Sequence, residues 1–354
     1  MTDTEVSRHA QINNRALDGA EADFGDARAE ALSLRGKVAV VSRTDLALIE
    51  IGGKDRRAWL QRLVSADLKN LVAGQGTPAA LLTAKGRVIA HFGTLISDTH
   101  ISLVVDRFNA DTLVAALERL AVFDEVEISA NPMAFLGVYG PELAGLQPFA
   151  DETLEAYNHV SRKLFDVDVT IVGDDSLATA GRLLFAAVSD ADMLRGALLD
   201  AGVPPAGLAA YETCRVEAGC PRAGAELTDG VMLLEAGQLG AVSFNKGCYI
   251  GQEPVCRVHS RGQVNYRLSG LRFSGEQAAS AGQKLLAAED AEAGSLTSVA
   301  YSPSLQANIA LGYLHRKHSD VGTVLRTDAG AELRVVSLPH VDGVPPLTCP
   351  RFKE

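Results

Sequence analysis

The densest chemistry in this 354-residue chain lies in Lys246-Gly247-Cys248-Tyr249-Ile250-Gly251-Gln252-Glu253, followed by Pro254, Val255, Cys256 and Arg257. One short segment holds an ammonium, a thiol, an aromatic face, an amide, a carboxylate and a guanidinium. Gly247 and Gly251 admit dihedrals that a side chain forbids and let the backbone approach a bound group. Pro254 suits the first turn of a helix, whose free N–H groups favour anions. With Lys246 and Arg257 adding positive charge on either side, a carboxylate-bearing ligand is the natural candidate. The residue order does not match the phosphate-cradling loop that ends in Gly-Lys-Ser/Thr, and an ordinary strand-turn-helix corner explains the spacing equally well.

With its surroundings the segment resembles the signature of the YgfZ family, folate-binding relatives of the glycine cleavage system T-protein. The pattern Lys-Gly-Cys-aromatic-x-Gly-Gln-Glu-x-x-x-Arg is met by Lys246, Gly247, Cys248, Tyr249, Gly251, Gln252, Glu253 and Arg257. Upstream, Arg215-Val216-Glu217-Ala218-Gly219 resembles the Arg-x-Glu-Ala-Gly run of the superfamily. Leu48-Ile49-Glu50-Ile51-Gly52, Trp59-Leu60-Gln61, Asp67 and Lys85-Gly86-Arg87 resemble its first strand, helix and hairpin. The resemblance spans Ser42 to Val336.

The resemblance implies an α+β, three-lobed T-protein-like folate-binding fold with a C-terminal small β-barrel. It also implies tetrahydrofolate or a one-carbon derivative as cofactor. In the YgfZ branch the implied role is folate-dependent support of iron-sulfur cluster assembly or repair, with reduced folate and iron-sulfur proteins or assembly factors as partners. Glu217 is then expected to accept parallel N–H bonds from a pterin, a charge-assisted and geometrically selective pair. Tyr249 would wall the pocket and Lys246 or Arg257 would meet the glutamate tail, while Arg215, Gly251 and Gln252 complete the expected cofactor-binding set. Cys248, beside a cation and a helix start, is the candidate reactive thiol for reversible oxidation, mixed disulfides or transient sulfur or iron handling. These expectations require Glu217 and the turn at Lys246 to face one cavity.

The T-protein pattern departs at one place. Paired aspartates are expected after the hairpin at Gly86-Arg87, where this chain reads Val88-Ile89-Ala90-His91-Phe92. A histidine, with an ordinary pKa of ~6.5, exchanges protons but supplies no fixed negative charge. Asp106 stands where the T-protein has Asn, and is the nearest carboxylate for the alternative activity, tetrahydrofolate-dependent aminomethyl transfer.

The elements that must position these groups follow from pattern. An apolar strand at 46–51 precedes a helix at 55–65 with Trp59, Leu60, Leu63 and Val64 on its inner face. Strands are expected at 78–83, 87–96 and 101–105, then a helix at 110–120. A second set holds a strand at 135–139, a helix opened by Pro141, a hairpin at 164–172, a strand at 183–188 and a helix at 191–201. Its order echoes the first. A helix at 209–218 carries Arg215 and Glu217. Six short strands near 264–273, 284–286, 297–301, 309–314, 323–325 and 333–336 suggest a small barrel. The expected organisation is a flexible extension at 1–36, two α+β lobes at 37–262, a barrel at 263–340 and a tail at 341–354.

Composition narrows the class. Hydrophobic residues at 47% and charged residues at 22% fit a globular chain with a full core. A net charge of -11 with no basic run argues against nucleic-acid binding. No stretch approaches a membrane span and the start lacks a secretory pattern, so a cytoplasmic address is expected. Five cysteines without Cys-x-x-Cys fit a reducing compartment, and no tightly held metal is expected.

Overall fold

A computed structural model describes residues 22–150, 154–275, 277 and 279–341. Helix α1 (Ala27–Gly36) begins where the Asp26 carboxylate accepts from the backbone N–H groups of Arg28 and Ala29, and buries Ala31 and Leu34. Strands β1 (Ala39–Ser42) and β2 (Leu46–Gly52) lead to α2 (Arg56–Leu63). There follow β3 (Gly76–Leu82), β4 (Val88–Ile96), β5 (Ile101–Asp106), α3 (Arg107–Leu120), β6 (Glu127–Asn131) and β7 (Met133–Tyr139). A 3-10 turn at Pro141–Gly145 precedes β8 (His159–Leu164), β9 (Val167–Gly173), β10 (Gly181–Ala187) and α4 (Ala191–Asp200). Then come β11 (Pro205–Ala206), α5 (Leu208–Ala218) and α6 (Gln252–Arg261). The last strands are β12 (Tyr266–Phe273), β13 (Lys284–Leu286), β14 (Glu292–Ser302), β15 (Ala307–His315), β16 (Val324–Thr327) and β17 (Glu332–Val336).

These form a five-stranded sheet in the order β3-β4-β5-β2-β6, a six-stranded sheet in the order β11-β1-β7-β10-β9-β8, and a closed barrel β12-β15-β14-β13-β16-β17. The α+β architecture and barrel expected from the sequence are both present. On one face of the five-stranded sheet, Trp59 and Leu60 of α2 and Leu113 and Leu117 of α3 seal a core with Ile49, Leu81 and Leu103. On the other face, Leu48 and Leu95 meet Phe135, Val172, Leu183 and Phe185 of the six-stranded sheet. Those sheet-to-sheet contacts form the apolar floor beneath the central cavity.

The segment 1–36 is corrected in its described part. Instead of a flexible extension, α1 is a built-in wall. Both oxygens of the Glu30 carboxylate accept backbone N–H groups, from Phe24 at 2.7 Å and Gly207 at 2.8 Å, so one side chain ties the helix to the start of α5. Residues 1–21, and the tail from 342 onward, lie outside the described residues.

Candidate active site in the central cavity

A cavity of ≈ 170 Å³ lies where the two sheets meet the segment after α5. The five-stranded sheet contributes His91 and Asp106, the six-stranded sheet Asp174, and the α5 region Tyr211, Arg215 and Arg222. An adjoining cavity of ≈ 360 Å³ shares Asp45, Tyr211 and Arg222 and reaches Ser298 of the barrel, so the three lobes converge here.

Two ionic clusters brace the walls. Arg43 grips Asp45 through two bonds, Nε to Oδ1 at 2.9 Å and Nη2 to Oδ2 at 2.8 Å, and donates to the Tyr139 hydroxyl at 2.8 Å. That hydroxyl donates onward to Asp174 at 2.7 Å, while the Arg43 guanidinium lies 4.0 Å from the ring centre of Tyr211. Arg215 bonds the Glu212 carboxylate, reaches Glu226 at 3.1 Å and donates to Ser298 Oγ at 2.7 Å. Burial alone would lower the Arg215 pKa, but Glu212 and Glu226 raise it, so the guanidinium stays charged. Burial pushes Glu212 up, yet Arg215 and Arg222 outweigh it and hold the carboxyl at about 2.

Two groups on the same cavity have spare valence. Asp106 closes β5 and caps α3 by accepting the Phe108 N–H at 2.9 Å through Oδ1. Burial, with Asp45 nearby, raises its pKa to about 6. His91 has a buried Nε2 with no hydrogen-bond partner, and burial lowers its pKa to about 4, which keeps the imidazole neutral. A buried polar atom without a protein partner is costly, so on a cavity wall this nitrogen is open to a hydrogen bond from whatever fills the cavity.

The residues expected from sequence do not converge. Of Arg215, Glu217, Lys246, Cys248, Tyr249, Gly251, Gln252 and Arg257, only Arg215 is among the described residues lining this cavity. Glu217 is wholly buried between lobes, where its carboxylate accepts from Arg35 Nε at 2.6 Å and Ser302 Oγ at 2.5 Å. Lys246 donates to the carbonyls of Gln61 at 2.6 Å, Val64 at 2.8 Å and Ala66 at 2.6 Å, satisfying acceptors at the C-terminal end of α2. Burial lowers its pKa to about 8.

Tyr249 packs in a core with Leu82, Val88 and Val255, and Arg257 pairs with Glu253 at the surface of α6. Gly251 sits at φ +82 before Gln252, the first residue of α6, and a Cβ there would come within 2.5 Å of the Thr83 carbonyl oxygen. Its glycine is needed for the approach of the β3–β4 hairpin, whereas the sequence suggested the approach of a ligand. Cys248 is exposed, outside the cavity. The signature thus packs against the β3–β4 hairpin at one edge of the sheet, while the cavity rests on β4, β5 and the start of β2.

Sequence reasoning missed Arg43, Asp45, Glu212 and Tyr211 because they are scattered and share no spacing. Asp106 carried one local signal, an Asp between an apolar strand and a helical run.

Residues 13–246 match the GCVT N-terminal domain and residues 267–342 match the glycine cleavage T-protein C-terminal barrel domain. The chain belongs to the glycine cleavage T-protein family. Among its T-protein family relatives are the aminomethyltransferase of Halalkalibacterium halodurans, 28% identical over 85% of this chain and 85% of that one. Another is the aminomethyltransferase of Cutibacterium acnes, 30% identical over 88% of this chain and 89% of that one. The fold is similar to the crystal structure of glycine cleavage system aminomethyltransferase T from Bartonella henselae, with a TM-score of 0.82, 23% identity, and 98% and 99% of the two chains covered. Among the described residues no helix is long and apolar enough to cross a membrane, and no group of His, Cys, Asp and Glu is placed to hold a metal ion.

Proposed function

We propose that the chain binds a reduced folate in the central cavity and serves as a folate-dependent accessory to iron-sulfur cluster assembly or repair. The observation that carries folate binding is the pairing of a partnerless His91 Nε2 with a one-bond Asp106 carboxylate on a single cavity, in a chain of the T-protein family. Asp106 takes the pterin-facing role expected of Glu217, whose two oxygens are each already engaged, by Arg35 and Ser302, and which lines neither the central nor the adjoining cavity. Tyr211 supplies an aromatic face and Arg222 a cation on the wall shared with the adjoining cavity. When bound, tetrahydrofolate supplies the one-carbon chemistry; this chain's part is to orient it, with Asp106 accepting N–H groups and neutral His91 exchanging one hydrogen bond.

The accessory role is supported by Cys248, an exposed thiol in the YgfZ-like turn, accessible to another protein without passing through the cavity. Anaerobic titration with tetrahydrofolate tests the first part: Asp106→Asn should weaken binding by about tenfold or more, and unchanged affinity would remove the pocket assignment. Normal cluster-enzyme activity in cells carrying Cys248→Ser would remove the second part.

Aminomethyl transfer remains a second reading, favoured by one observation. Asp106, with its pKa near 6, presents a carboxylate in the cavity at neutral pH although His91 replaces the expected acid. Glycine cleavage reconstituted with the partner proteins decides between the two.

A further inference from the structure

Away from the central cavity, a cleft of ≈ 410 Å³ opens where the β3–β4 hairpin, the C-terminal end of α6 and the end of β15 meet. Three guanidiniums line it, those of Arg87, Arg261 and Arg316, with Gln263 and Asn265 beside them and Glu235 as the single lining carboxylate. The arginines come from three elements distant in sequence, so the fold and not a local charge run assembles them.

Most of their hydrogen-bonding capacity is unused. Arg87 bonds the Gly230 carbonyl at 2.8 Å and Glu235 at 2.9 Å, both through Nη1. Arg316 donates from Nη1 to Gln263. Arg261, exposed on the last turn of α6, has no side-chain hydrogen bond or ion pair among the described residues. A cation at a helix C-terminus complements the dipole, which explains Arg261 alone and leaves the convergence of three unexplained. In a chain with 44 acidic and 33 basic residues, this cleft reverses the overall sign. Like charges gathered on a concave wall repel one another until an anion bridges them.

We propose that this cleft binds a small, multiply charged oxyanion, either a phosphate ester or a polycarboxylate, held in the guanidinium forks of Arg261, Arg316 and Arg87. A planar fork matches either group with two parallel N–H bonds. Met232, Val258 and Val264 form the apolar side of the cleft, against which the carbon skeleton of the ligand rests. The cleft and the central cavity share no lining residue, so this inference stands apart from the folate reading.

Calorimetric titration of the full chain with tripolyphosphate and, separately, with citrate, at constant ionic strength, tests it. At least one probe should bind saturably at one site, and Arg261→Ala combined with Arg316→Ala should weaken that binding by about tenfold or more. Both side chains are exposed, so the thermal midpoint without ligand should match the wild type; Arg87 is left in place because its loss would strand Glu235. Binding of tripolyphosphate alone identifies a phosphate ester, and of citrate alone a polycarboxylate. No saturable binding of either, or equal affinity in the double variant, overturns the proposal.

Discussion

Glu217 and Asp106 are both sheltered carboxylates near the meeting point of the lobes, yet one is locked and the other is open. Glu217 has a guanidinium and a hydroxyl on its oxygens and lines none of the cavities described above. Asp106 keeps one backbone N–H and faces empty space. A buried charge engaged on both oxygens and away from a cavity acts as scaffold, whereas one with a free oxygen beside a void is poised for a ligand. Residue type and motif membership do not separate the two cases; the partners do.

The sharpest way to break the comparison is Arg35→Ala. It leaves Glu217 buried and uncompensated, and should cost ~3–5 kcal/mol in denaturant unfolding with folate affinity of the folded protein nearly unchanged. A large loss of affinity at unchanged stability would reverse the assignment of the two carboxylates. Lys246→Met removes a cation from three carbonyls and should cost ~1–3 kcal/mol by the same measurement.

Asp106→Asn should act in the opposite direction. Its folded pKa, about 6, lies above the ordinary 3.8, so the ionised carboxylate destabilises the fold at neutral pH, and the cost fades as pH falls through 6 toward 3.8. The amide should therefore stabilise by ~1–2 kcal/mol near neutrality, since asparagine still caps α3, while folate binding weakens. Stability gained with affinity lost is the signature of a site residue.

His91 and His340 have folded pKa values of about 4 against an ordinary 6.5. Their contribution to stability is full above 6.5 and is lost as pH falls toward 4. Glutamine at 91 should remove ~1 kcal/mol of that acid sensitivity, seen as a flatter dependence of unfolding midpoint on pH. The smallest effect is expected at Arg257→Ala, within ~0.5 kcal/mol, because its pair with Glu253 is exposed.

Much of the architecture was legible because burial imposes a period. Trp59, Leu60, Leu63 and Val64 lie inward as their spacing requires, and all six barrel strands fall near their apolar runs. The elements overlooked give a weak signal. Strand β6 is mostly exposed, β11 has two residues and begins with proline, and α1 buries only Glu30, Ala31 and Leu34. The signature at Lys246 was legible as an important segment, and two of its residues serve packing: Lys246 as a cation for the carbonyls that end α2, and Gly251 for a hairpin's close approach, while Cys248 stays exposed. Of the cavity, His91, Asp106 and Arg215 were legible one by one, but not their convergence, because they and Arg43, Asp45 and Tyr211 meet only after the sheets have stacked.

The position of β1 has a consequence for synthesis on the ribosome. All strands of the five-stranded sheet lie between residues 46 and 131, so that sheet closes as a contiguous block soon after emerging. Strand β1 emerges earlier, yet its neighbours are β7 and β11, and its parallel pairing with Pro205 and Ala206 must wait for some 160 further residues to leave the tunnel. The earliest of the described strands is thus among the last of its own sheet to be fully paired, and it needs shelter until then.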